Sequence, residues 1–161
     1  MPTADAIRAA EPQLDERNLR FAFGRFATGV ALVTADVEDT PQGLFVSSFA
    51  AVSLEPPLIS FCAGRSSITW QRMRHAGHCT VYVLGARSGD FVRRAAAPGA
   101  DRFAEPHVLR DALAVIECGL EAEHPAGDHW IVVGRVLRLR ASTDDEPLVY
   151  FGGRFGGFRP H

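Results

Sequence analysis

The stretch GLFVSSFAAVSLEPPLISFC, residues 43–62, holds two apolar runs separated by Pro56 and Pro57, with Ser47 and Ser48 inside the first. Proline gives no N–H to a sheet ladder, so the double proline ends one strand and opens the next. The run 43–54 reads as a single strand, with Leu44, Val46, Ala50, Val52 and Leu54 on one side and Phe45, Phe49 and Ala51 on the other. Apolar residues on both sides call for cover on both faces, one from a barrel core and one from a helix or a second subunit. Two adjacent hydroxyls in so apolar a strand need hydrogen-bond partners. Either neighbouring backbone supplies them or a polar ligand lies across the strand, and at this level both readings stand.

Upstream, Asp15 opens a helical pattern with Leu19, Ala22, Phe23 and Phe26, expected to cover one side or end of a sheet. Residues 29–35 then read as a β-branched strand. Downstream, strand 58–63 leads to Gly64, Arg65, Ser66 and Ser67, with Ser66 or Ser67 capping a short helix that carries Ile68, Trp70 and Met73. A second short helix follows strand 79–84, capped by Ser88 and broken at Pro98-Gly99, which leaves Asp101, Arg102 and Phe103 in a loop. Residues 116–123 alternate as a strand with one wet face, 124–129 read as a turn, and 130–140 as a long strand. After an acidic turn at 144–146 and a short strand at 148–151, the glycines of GGRFGGFRPH suggest backbone flexibility or close approach to something flat. Six or seven strands without a βαβ rhythm predict a mainly β fold, an antiparallel barrel with short peripheral helices. The expected organisation is a flexible N-terminal arm, 1–14, and one domain, 15–161.

Composition narrows the function. With 47% apolar and 22% charged residues the chain is not disordered, and a net charge of −2 excludes nucleic-acid binding through general basicity. All 17 basic residues are arginine. Schiff-base and Walker lysines are therefore excluded, and an anion must be held by arginine, hydroxyls, histidine or backbone N–H groups. Arg65 beside a helix start at Ser66–Ser67 fits a phosphate; an ordinary capped helix with a solvated arginine is the competing reading. Cys62, Cys79 and Cys118 lie in apolar runs without metal-ligand spacing, as buried reduced thiols of a cytoplasmic protein would. No apolar run is long enough to span a bilayer, so no membrane association is expected.

Four segments resemble the short-chain flavin reductases, the reductase components of two-component flavin-dependent monooxygenases. They are FATGVALVTA (26–35), the stretch 43–62, Asp101-Arg102-Phe103 with GDHWIVVGRV (127–136), and PLVYFGGRF (147–155). In register they reach from about residue 17 to 158. The resemblance implies a flavin-binding split β-barrel, usually a homodimer, that passes a hydride from NADH or NADPH to FMN or FAD. The reduced flavin then serves a separate monooxygenase. The family's Thr-Ala-Asn-Ser-like segment along the flavin ring is replaced here by Phe45, Val46, Ser47 and Ser48. Its phosphate end corresponds to Cys62, Ala63, Gly64, Arg65, Ser66, Ser67 and Thr69, and its flavin-approaching loop to Arg102 and Phe103. The nicotinamide side falls on His129 and on Gly152, Gly153, Arg154 and Phe155, where the family's tyrosine has become Phe155. A flavin-binding protein without turnover and a relative of the pyridoxamine-phosphate oxidases are the alternatives. A nicotinamide site argues against the first, and the few basic phosphate ligands argue against the second.

Overall fold

The computed structural model of the chain describes residues 14–142 and 146–158. The N-terminal arm, apart from Leu14, and residues 144 and 145 of the acidic turn lie outside that range. Ten strands form two antiparallel sheets: β1 (Thr28–Gly29), β2 (Ala31–Val37), β3 (Thr40–Val46), β4 (Ala50–Leu54), β5 (Pro57–Gly64), β6 (His78–Val83), β7 (Ala114–Ala126), β8 (His129–Ala141), β9 (Val149–Phe151) and β10 (Arg154–Gly156). The larger sheet runs β3-β2-β6-β7-β8-β5-β4, and the smaller runs β1-β9-β10.

This order forces the larger sheet to curl. Laid flat, seven strands would put β3 and β4 roughly 29 Å apart at ~4.8 Å per strand. Yet β3 ends at Val46 and β4 begins at Ala50, and a chain covers at most about 14 Å over four such steps. The two edges therefore come together at Ser47–Phe49, which gives the expected split barrel. Here the sequence reading needs one correction. Residues 43–54 are not one strand but two, broken at the hydroxyl pair and placed on opposite edges of the sheet. The Pro56-Pro57 reading holds: Leu54 pairs with Pro57 across a two-residue turn.

Two apolar clusters follow from the period of β2. Ala31, Val33 and Ala35 face the barrel interior with Val46, Phe61, Val81 and Val132. Val30 and Leu32 face outward, against Leu84, Phe91, Val92 and Leu148. The helix α1 (Glu16–Phe23) is capped as expected, Asp15 Oδ1 accepting from the Asn18 N–H at 2.8 Å. It does not cover the sheet, however: none of its residues is buried, and Phe21, Phe23 and Phe26 stand exposed. Ser67 caps α2 (Ile68–Met73), whose Trp70 and Met73 plug the interior cluster. Outside the barrel lies α3 (Gly89–Ala95), with Phe91, Val92 and Ala95 buried. The sequence reading missed α4 (Pro106–Arg110), although proline at its first turn is a helix-start signal.

β7 and β8 are longer than their alternation suggested. His124 and Pro125 remain in the ladder, and the turn shrinks to Gly127-Asp128, with Ala126 paired to His129. Gly127 has φ +61°, the first central position of a hairpin turn that favours glycine. Cys79 and Cys118 are buried and lie directly opposite each other on β6 and β7. The hydrogen bond to Cys118, and then burial, push the Cys79 thiol up, which keeps it protonated.

Candidate active site

The barrel closure builds the first part of the site. Phe45 and Val46 end β3, Val46 turned inward and Phe45 outward to meet the Phe91 ring edge-on at 6.2 Å. Beside them the small sheet pairs Thr28 with Tyr150 and Phe155 with Tyr150. Together Val30, Phe45, Val46, Ser47, Tyr150 and Phe155 wall an open cleft of about 280 Å³. Three of the four recognised segments thus meet at one apolar cleft with aromatic walls. Ser47 is exposed at its edge. Ser48 instead turns to the backbone of the neighbouring strand. Its Oγ accepts the Cys62 N–H at 2.7 Å, so the backbone reading of the hydroxyl pair is correct for Ser48.

The second part lies where β5 meets the β7–β8 turn. Cys62 pairs with Ile131, Ala63 with Trp130 and Gly64 with His129. The Arg65 N–H donates to the Asp128 carbonyl at 2.9 Å, and its Nη1 donates to the Gly127 carbonyl at 3.3 Å. Its guanidinium lies 5.2 Å from the Trp130 ring centre, and Arg74 lies 4.8 Å from the same ring. Arg65 is therefore committed to the turn. His129 Nδ1 is 2.8 Å from Asp128 Oδ1 on the exposed rim, a contact the sequence did not settle. Asp128 is held below its ordinary value chiefly by that hydrogen bond, and the ionised carboxylate keeps the Nδ1 proton in place and Nε2 directed elsewhere. Beneath the turn, Glu123 accepts from Trp70 Nε1 at 2.9 Å and from Arg74 at 2.5 Å, tying α2 to β7.

A third part holds Thr69, Arg102 and Phe103, which line a small cleft of about 150 Å³ with Pro41, Gln42 and Gly43. A Cβ on Gly43 would stand 3.2 Å from Phe103 Cζ, so glycine lets the loop lie against β3. Arg102 Nε is buried and has no partner among the described residues. An orphaned guanidinium nitrogen beside a threonine fits a phosphate oxygen, and fits it better than Arg65 does.

Gly152 and Gly153, with φ +58° and +81°, are the two central residues of the β9–β10 turn. Two positive φ values are what a tight hairpin of this type requires, so these glycines set a turn, and flexibility is not their role. Arg154 is exposed. The sequence reading passed over Tyr150 and Val30 at the first cleft; the strand alternation around Phe155 carried the signal for Tyr150. Ser66 is exposed and makes no side-chain hydrogen bond among the described residues.

A curled antiparallel sheet, a ring-sized apolar cleft at its closure, an unpaired Arg102 nitrogen and a rim histidine are the features of a cofactor-binding split barrel. Residues 23–159 match the flavin reductase like domain, and the chain belongs to that family. It is 35% identical to the flavin-dependent monooxygenase reductase subunit HsaB of Rhodococcus jostii, over 98% of this chain and 85% of the relative. It is 40% identical to the NADH-dependent FMN reductase SmoA of Agrobacterium fabrum, over 89% and 87%. Among solved structures it resembles the NADH:FAD oxidoreductase SgcE6 of Streptomyces globisporus, with a TM-score of 0.83, 32% identity and 91% and 94% coverage. BorF, the flavin reductase component of a bacterial two-component tryptophan halogenase, gives 0.82, 34%, 91% and 100%.

Proposed function

We propose that this chain is a flavin reductase that carries a hydride from NADH or NADPH to a flavin and releases the reduced flavin to a separate monooxygenase. The observation that carries this is the cleft at Phe45–Ser47, where three family segments meet in a space suited to a flat ring. Flavin and nicotinamide supply the redox chemistry between them. The chain's part is to bind and stack: aromatic walls at Phe45, Tyr150 and Phe155, a phosphate contact at Arg102 and Thr69, and His129 placing the nucleotide over the ring. Transfer needs the two rings within about 3–3.5 Å of each other, so placement dominates the rate.

The chain acts as a homodimer on this reading. The edge strand β4 exposes Val52 and Leu54, the latter at 92%, and Phe21 and Phe23 of α1 are exposed as well. Large exposed apolar side chains of this kind fit an interface between two copies. No helix among the described residues is long and apolar enough to cross a membrane.

The test is nucleotide oxidation by purified protein with FMN or FAD and NADH or NADPH in turn. Turnover in at least one combination is expected. Flavin binding without turnover in any of them would make the chain a binding module and overturn the enzyme reading.

A further inference from the structure

A larger cleft adjoins the small one that holds Thr69 and Arg102. It opens between the β2–β3 hairpin and α2, measures about 610 Å³, and is lined by Glu38, Gln42, Gln71, Arg72 and His75 among others. Gln42 lines both clefts, so they are neighbours along β3. The small one is of a size for a phosphate and its immediate surroundings; the large one falls within the ~300–1,000 Å³ of small-molecule sites.

We infer that this second cleft takes the adenylate half of FAD, and that the chain therefore prefers FAD to FMN. The inference rests on the flavin phosphate lying at Thr69 and Arg102, as proposed above. From that point a second phosphate leads along Gln42 toward Arg72. The Arg72 guanidinium is exposed and has no ion-pair partner among the described residues, and its planar donors suit a phosphate. The side chain of Gln71 gives Nε2 to the Arg65 carbonyl at 3.0 Å, which leaves Oε1 to accept from an adenine amino group. The Gln42 amide, facing the same cleft, offers the donor-acceptor pair that matches an adenine edge. Glu38 supplies a carboxylate of the kind that binds ribose hydroxyls. Glu38 and Asp39, at φ +50° and +59°, are the two central residues of the β2–β3 hairpin, which holds the carboxylate at the mouth of the cleft.

Titration of the purified protein with FAD, FMN and AMP, followed by flavin fluorescence and by equilibrium dialysis, tests this. FAD should bind about tenfold or more tightly than FMN, and AMP should displace FAD while leaving FMN bound. Arg72→Ala should weaken FAD by about tenfold and FMN by less than about twofold, with Glu38→Gln weakening FAD several-fold. Equal affinities for FAD and FMN, or equal losses in Arg72→Ala, overturn the inference while leaving the reductase reading intact. A raised KM for the nicotinamide nucleotide with unchanged FAD affinity assigns the cleft to that nucleotide and also overturns it. Failure to bind any flavin removes the proposed function itself, and this inference with it.

Discussion

Ser48 Oγ accepts the Cys62 N–H at 2.7 Å, and this bond fastens the seam of the barrel. The β4 ladder on β5 stops at Ser60, opposite Ala50. Two residues further on, the Cys62 N–H would lack a ladder partner, and the serine hydroxyl takes it. Ser48→Ala should cost about 1–3 kcal/mol, because it leaves a half-buried donor unsatisfied. Ser47→Ala, at an exposed position, should stay within about 0.5 kcal/mol. Urea midpoints of the two variants check this, and equal shifts would show that the seam does not depend on Ser48.

Gly43 should be intolerant of even a methyl group. Its Cβ would meet Phe103 Cζ at 3.2 Å and Leu32 Cδ1 at 3.3 Å, so Gly43→Ala should push the Phe103 loop outward and weaken FMN binding. Overpacking of this kind costs about 1–3 kcal/mol. In a double-mutant cycle Phe103→Ala should relieve much of the penalty. A Gly43→Ala protein with unchanged flavin affinity would sever the loop from the flavin.

The two arginines at the proposed phosphate end should part ways. Arg102→Ala should weaken FMN by about 1–3 kcal/mol and leave riboflavin nearly untouched, since riboflavin lacks the phosphate. Arg65→Ala should disturb the β7–β8 turn and act on both ligands alike. Calorimetric titration with FMN and riboflavin reads the difference. The opposite pattern would return the phosphate to Arg65.

His129→Ala should raise KM for the nicotinamide nucleotide or slow the hydride step, while flavin affinity changes by less than about twofold. His129→Asn should recover part of the loss. Asp128→Ala should fall between wild type and His129→Ala, because it frees the ring without removing it. A loss of flavin binding with intact nucleotide kinetics would place His129 in the flavin site.

Glu123 links α2 to the barrel wall through Trp70 and Arg74. Glu123→Ala strands an indole N–H and a half-buried guanidinium together, and should cost about 2–4 kcal/mol. Thermal unfolding measures it, and a shift no larger than that of Arg74→Ala alone would show that the Trp70 bond contributes little.

Much of this fold was legible because its signals are local. The β-branched run of β2, the period-2 alternation of β7, the cap at Asp15 and the Pro56-Pro57 boundary each depend on neighbours in sequence. The division of 43–54 was not legible. Both halves are apolar, and their assignment to opposite edges rests on pairing of β3 with β2 and of β4 with β5. The same limit applied to the arginines. Arg65 reads as free until the β7–β8 hairpin, more than sixty residues later, presents Gly127 and Trp130 to it. The GG pair at 152–153 could have been read as a hairpin from sequence, since it sits between two short aromatic runs.

The sheet order also dictates how the chain assembles. Four of its pairings, β2–β3, β4–β5, β7–β8 and β9–β10, join strands separated by only two residues. Such hairpins form in microseconds on their own. The pairings β2–β6 and β5–β8 instead join strands far apart in sequence, and long-range pairing of this kind carries the slow step. Contacts made before the slow step are already present in the transition state, so mutations within the hairpins should change the folding rate more than the unfolding rate. The newly made chain completes its ring cleft only once Tyr150 and Phe155 of β9 and β10 have been synthesised, so flavin binding marks the end of folding.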